Sequence, residues 1–174
     1  MTAVEETTAE ELSAFAPLAT LDRGKLATLA HAGRNVRYPA GQRLITEGRR
    51  ADRCWLIRSG CVGVDAALPG RDPVVVQTLG PGDLLGWSWL VPPYRWHFGA
   101  VTTEPVQAIE FDAARLADIA DTDPKFGYTL TLLLFEALVE RLQATRARLL
   151  NLYRNPGETA ATAPLRMGES GGGR

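Results

Sequence analysis

From residue 34 to residue 111 the chain is cut by turn signals about every eight to twelve residues, and this rhythm limits its fold more than any other feature. Pro39-Ala40-Gly41, Glu47-Gly48, Ser59-Gly60, Pro69-Gly70, Gly80-Pro81-Gly82 and Glu104-Pro105 separate β-rich runs at 36–38, 43–46, 54–59, 61–67, 74–79, 99–102 and 106–111. No helix of normal length fits between most of these runs. That argues against a parallel α/β sheet and predicts a compact antiparallel roll. Ser59-Gly60, lying between two apolar runs, predicts a tight hairpin.

Helical periodicity flanks the roll on both sides. Leu12, Phe15, Leu18, Leu21, Leu26, Leu29 and Ala30 recur mostly at helical spacing within 9–32, with Asp22 as an N-cap and Gly33 as a stop. Asp112 caps a short helix over 112–120, and Asp123-Pro124 opens a long one that runs to residue 153. Within the long helix, Leu138, Leu142, Thr145, Leu149 and Leu152 fall at 4-3-4-3 spacing, a heptad seam suited to dimerisation, with Arg141, Arg146 and Arg148 off it. The acidic residues 1–8 are expected to be unordered. The same holds for 154–174, where Pro156, Gly157, Pro164 and Gly171-Gly172-Gly173 leave almost no large apolar groups. The reading is one domain over 9–153 that includes the long helix 124–153. Its fold class is α+β, mainly β: a jelly-roll β-barrel (double-stranded β-helix) between N-terminal helices and a long C-terminal dimerisation helix.

Composition removes several function classes. A length of 174 residues is enough for one real core, and a net charge of −1 gives no general attraction to nucleic acid or to an anionic membrane. Two Cys and two His cannot furnish a disulfide scaffold, a four-thiolate iron–sulfur site or a multi-ligand metal cluster, so no metal site is expected. The apolar runs are too short to span a bilayer, and the N-terminus lacks an apolar signal region, so the expected location is cytoplasmic. No Ser–His–Asp or Cys–His arrangement, P-loop or dinucleotide fingerprint is present, and no enzyme is expected.

Helices, a β-roll and one long heptad helix, in that order, resemble the sensor half of cyclic-nucleotide-binding regulators of the CRP/FNR type. Tyr38-Pro39-Ala40-Gly41-Gln42 with Ile45-Thr46-Glu47-Gly48 is similar to the family's opening strands, and Cys54 to Val62 is similar to its strand–Ser-Gly–strand segment. Leu79-Gly80-Pro81-Gly82-Asp83-Leu84-Leu85-Gly86 resembles the entry to its phosphate-binding cassette, and Glu104-Pro105-Val106 to Phe111-Asp112 resembles the strand that leaves it. The similarity spans roughly 12–153.

The resemblance implies a site. A carboxylate after the cassette glycine would meet a ribose hydroxyl, and an arginine near its end would pair with a cyclic phosphate, whose oxygens match a guanidinium fork. Here Gly82, Asp83, Leu84, Leu85 and Gly86 occupy the entry, Asp83 being one methylene shorter than the usual Glu. Arg95 is the basic residue near the far end, with Trp96 and His97 placed to meet a base. Counting backwards from Glu104-Pro105 puts Trp96 in the arginine position instead. Either way a bulky Trp96-His97-Phe98 follows where the family has small residues. The cluster Trp87, Trp89, Tyr94, Trp96, His97 and Phe98 has two readings: a stacking surface for a planar effector, or a plug of packed aromatics. His97 likewise reads as a gas- or metal-sensing ligand or as a hydrogen-bonded core histidine.

Cys54 and Cys61 flank the expected hairpin out of register with each other, which predicts free, buried thiols rather than a disulfide. Arg34, Arg37, Arg43, Arg49, Arg50, Arg53 and Arg58 read as the solvated face of alternating strands, with a phosphate or partner surface as the alternative. A helix-turn-helix output domain needs about 60–70 residues, and 21 follow Tyr153, so direct DNA binding is not expected. The resemblance thus implies a non-enzymatic sensor homodimer without a DNA-binding domain, needing no cofactor. It would take a small effector (cyclic AMP, cyclic GMP or another nucleotide-like ligand) in the roll and signal through the dimer helix. The alternative is a ligand-independent protein-interaction module with a plugged pocket.

Overall fold

Among the described residues, eight strands close the expected roll as two four-stranded antiparallel sheets, ordered β1-β8-β3-β6 and β2-β7-β4-β5. In chain order they are β1 (Gly33–Tyr38), β2 (Arg43–Ile45), β3 (Arg53–Ser59), β4 (Val62–Leu68), β5 (Arg71–Leu79), β6 (Leu84–Leu85), β7 (Gly99–Thr102) and β8 (Val106–Asp112). The computed structural model describes residues 7–16 and 18–154, with the side chains of Leu152 and Arg154 left aside. The expectations of unordered ends at 1–6 and 155–174 lie outside the described residues.

Among the described residues, two α-helices precede the roll. In α1 (Ala9–Ser13), the Thr8 hydroxyl accepts the Glu11 N–H while the Glu11 carboxylate accepts the Thr8 N–H, a reciprocal cap that already orders the chain at Thr8. Asp22 caps α2 (Arg23–Ala32) by accepting the Lys25 N–H, and Gly33 ends that helix as the first residue of β1. After the roll, Asp112 caps α3 (Ala113–Thr122). Asp123 accepts the Lys125 and Phe126 N–H groups at the start of α4 (Pro124–Arg154), where proline's missing N–H costs nothing.

Strand alternation sends side chains to two cores. Ile45, Trp55, Ile57, Val62, Val64, Leu79, Leu85, Ala100, Val106 and Ala108 meet between the sheets. On the other face of the first sheet, Cys54, Leu56, Ile109 and Phe111 lie under Leu12, Leu26, Leu29, Leu116, Phe126, Leu130, Leu133 and Leu134 from the helices. The chain forms two units, Met1–Ala137 and Leu138–Arg174. In the second unit Leu142, Leu149, Leu150 and Tyr153 of α4 are exposed. Among the described residues no helix is long and apolar enough to cross a membrane.

Ser59-Gly60 is not a hairpin. β3 and β4 belong to different sheets, so the chain turns a corner there and the two strands do not pair. Gly60 has φ +82°, and a Cβ on it would run into the Pro105 carbonyl, so this corner needs glycine. The tight hairpin comes one turn later, where Pro69-Gly70 joins β4 to β5 and Leu68 lies opposite Arg71. Cys54 is buried and Cys61 half-buried, and both are free; their separation follows from the corner rather than from hairpin register.

Candidate functional site

The cassette residues divide between the inside and the outside of the roll. The Gly80–Asp83 turn is tied to β3: the Gly82 N–H donates to the Ile57 carbonyl and the Ile57 N–H to the Asp83 carbonyl, at 2.9 and 3.0 Å. The Asp83 side chain is exposed and accepts the N–H of Gly80 at 2.8 Å, so it closes its own turn. Leu84 is half-buried and Leu85 fully buried. Gly86 follows with φ +87°, and a Cβ there would stand 3.0 Å from the Trp96 ring and 3.1 Å from the Arg53 carbonyl.

The choice between Arg95 and Trp96 is made by strand phase. The Trp96 N–H donates to the Arg49 carbonyl and the Gly48 N–H to the Trp96 carbonyl, each at 2.9 Å. This pairing turns the Trp96 side chain inward, where it is 5% exposed and stacks on Trp55 with ring centroids 6.2 Å apart and planes at 29°. Arg95, one residue earlier, points the opposite way. Its guanidinium is exposed and donates from Nη1 to the Gly48 carbonyl at 2.9 Å. His97 is also outside, its Nδ1 3.2 Å from the buried Ser88 Oγ and its ring stacked on Trp87 at 6.0 Å. It is exposed rather than part of the core. Among the described residues no group of three or more His, Cys, Asp or Glu could hold a metal ion. The structure therefore brings Leu85, Gly86 and Trp96 together in the roll and leaves Asp83, Arg95 and His97 on its rim.

The inner wall beside Trp96 carries a polar network that the motif reading missed. Glu110, 4% exposed, accepts from the Tyr38 hydroxyl at 2.6 Å, the Trp55 Nε1–H at 2.8 Å and the Arg34 Nε–H at 2.9 Å. Arg34 Nη2 also pairs with it, and Arg53 Nη1 lies 3.4 Å away. Burial pushes the Glu110 carboxyl up, but the hydrogen bonds from Tyr38, Arg34 and Trp55 outweigh it and hold the group below its ordinary value. Burial, and then the bond to Glu110, push the Tyr38 hydroxyl up to about 12. A second buried carboxylate, Asp65, pairs with Arg43. Arg34, Arg43, Arg53 and Arg58 are thus ion-pair partners rather than only a solvated face. One sequence signal marked this network: Val106, Ala108 and Glu110 share an inward phase, so a carboxylate stood at a core position.

Next to the network, a cleft of about 290 Å³ opens to solvent, with Tyr38, Gln42, Arg43, Arg53, Trp55 and Trp96 on its walls.

Comparison with known proteins agrees with this architecture. The family model for the cyclic nucleotide-binding domain matches residues 35–123. A CRP-like cAMP-activated global transcriptional regulator of Mycobacterium tuberculosis is 26% identical over 127 residues, covering 73% of this chain and 55% of that protein. Glutaminase 2 of Bradyrhizobium diazoefficiens is 29% identical over 138 residues, 78% of this chain and 21% of the enzyme. The chain thus spans about half of the one relative and a fifth of the other. A crystal structure of a cyclic nucleotide-binding domain from Methylobacillus flagellatus superimposes with a TM-score of 0.69 at 21% identity, covering 75% of this chain and 74% of that one. With the roll, the cassette turn and the following helices all in the family's order, the chain belongs to the cyclic nucleotide-binding domain family.

Proposed function

We propose that this chain is a non-enzymatic regulatory module of the cyclic nucleotide-binding type whose roll is closed by its own Trp96, and that it signals by contact with other proteins as a homodimer along α4. The observation that carries this reading is the inward, stacked position of Trp96 beside an outward Arg95. A cyclic phosphate in the usual pose needs space and a guanidinium facing the roll, and here an indole fills the one and the chain's phase removes the other. The apolar groups exposed on α4, Leu142 and Leu149 at heptad spacing, support pairing with a second copy. With a net charge of −1, the module has no general electrostatic pull toward DNA, and we place its action in the cytoplasm.

Calorimetric titration with cyclic AMP and cyclic GMP tests the reading. The expected result is no heat with either nucleotide. Saturable heat that disappears in Arg95→Ala would replace it with the second reading, a small-effector sensor that uses Asp83, Arg95 and the Gly82–Gly86 backbone. What favours an effector-binding reading is the open cleft of about 290 Å³ beside Trp96, although its guanidinium and phenol groups are those of Arg43, Arg53 and Tyr38 rather than Arg95.

A further inference from the structure

Outside the closed roll, the chain concentrates positive charge without neutralising it. Segments 48–51 and 94–96 are laced together: besides the two bonds at Trp96, the Ala51 N–H donates to the Tyr94 carbonyl at 2.9 Å. Arg50 and Arg95 stand directly opposite each other in this antiparallel bridge, on one side of it. Like charges in that position repel, and a bridge keeps them neighbours. Arg49 and Arg50 are exposed and make no ion pair or side-chain hydrogen bond among the described residues, while Arg95 bonds a carbonyl rather than a carboxylate. By contrast, Arg34, Arg43, Arg53 and Arg58 each have a carboxylate partner. Beside the arginines, Tyr94 is 51% exposed and held at φ +56°, a conformation uncommon for a bulky residue, and Val91 is exposed as well.

We propose that Arg49, Arg50 and Arg95, with Tyr94 and Val91 at their flank, form a docking surface for an acidic segment of a partner protein. Two neighbouring carboxylates of such a segment would take the opposed Arg50 and Arg95 forks and relieve their repulsion. Arg49, exposed one residue before Arg50, adds positive charge next to them, and the Tyr94 ring offers apolar contact to the segment's carbon chain. A protein segment fits better than nucleic acid. Tracking a duplex takes about 6–10 phosphate contacts, and this patch has three guanidinium groups on a chain of net charge −1. The surface needs neither an open roll nor a dimer, so it stands apart from the reading above.

The test uses fluorescence anisotropy of a labelled octaglutamate peptide, with a labelled short DNA duplex in parallel, at low and at high salt. The peptide should bind the full chain in a salt-dependent manner. Arg49→Glu/Arg50→Glu should weaken it by about tenfold or more, with the thermal melt unchanged. Arg23→Glu, which makes the same kind of charge change on α2, should leave binding within about twofold of the unaltered chain. Three results would each overturn the proposal: no binding to the unaltered chain, an equal loss in Arg23→Glu, or tighter binding of the duplex than of the peptide.

Discussion

Trp96 stacks on Trp55 inside the roll with 6.2 Å between ring centroids, while the residue before it, Arg95, faces solvent. Removing each side chain should therefore have very unequal consequences for stability. Trp96→Ala leaves a cavity beside Trp55 and should cost about 3–5 kcal/mol in urea unfolding. Arg95→Ala removes one exposed bond to a carbonyl and should stay within about 0.5 kcal/mol. Equal costs would mean that Trp96 is not the packed member of the pair.

The Glu110 network predicts a definite dependence on pH. A carboxyl held below its ordinary value in the folded state contributes stability that is fully present above its unfolded value. That stability is lost as pH falls through the lower, folded value. Unfolding free energy should therefore decline on acidification below about pH 4.5, and Glu110→Gln should flatten that decline. The same substitution should cost about 2–3 kcal/mol at neutral pH, since Trp55 and Tyr38 lose a charged acceptor in a buried place. Tyr38 supplies a second readout. Ultraviolet titration should show one tyrosine ionising near 12, and Tyr38→Phe should abolish it.

Thiol chemistry should separate the two cysteines. Burial pushes the Cys54 thiol up to about 12, so it should not react with Ellman's reagent in the native state, whereas half-buried Cys61 should react slowly. One thiol per chain is expected in buffer and two in urea. Two in buffer would show that the helix-covered face of the first sheet opens readily.

At the corner between the sheets, Gly60→Ala should be among the most damaging single-methyl additions in the chain. Its Cβ would meet the Pro105 carbonyl and its φ would be strained, so about 2 kcal/mol or more is expected from chemical unfolding.

Light scattering at micromolar concentration should find a dimer that Leu142→Asp converts to a monomer, because Leu142 is 68% exposed and lies within the heptad run. A dimer that survives this change would place the pairing surface elsewhere.

How much of this was legible in the sequence differs by feature. The seven predicted strands lie where the structure has them because each is bounded by its own turn residues, a local signal. β6 escaped notice because two residues carry no alternation. Ser59-Gly60 misled because a positive-φ glycine serves a reversal and a corner equally well. Only the pairing of β3 with β8 and of β4 with β7, both distant in sequence, separates the two. Arg95 and Trp96 could not be ranked from motif spacing, since a shift of one residue exchanges the faces of a strand. The buried state of Glu110 and Asp65 rests on arginines 76 and 22 residues away, beyond any local pattern.

The Tyr38–Glu110 hydrogen bond joins residues 72 positions apart, and among the described residues β1 has no other strand partner than β8. During synthesis, β1 must wait, unladdered, until almost the whole roll has left the ribosome. Loop closure of that size has to be met before any of its contacts return free energy, which makes folding slow and late for a chain this short. It also means there is no stable half-roll: a chain interrupted anywhere between Tyr38 and Val106 would leave its first strand exposed as an edge, ready to pair with a neighbour.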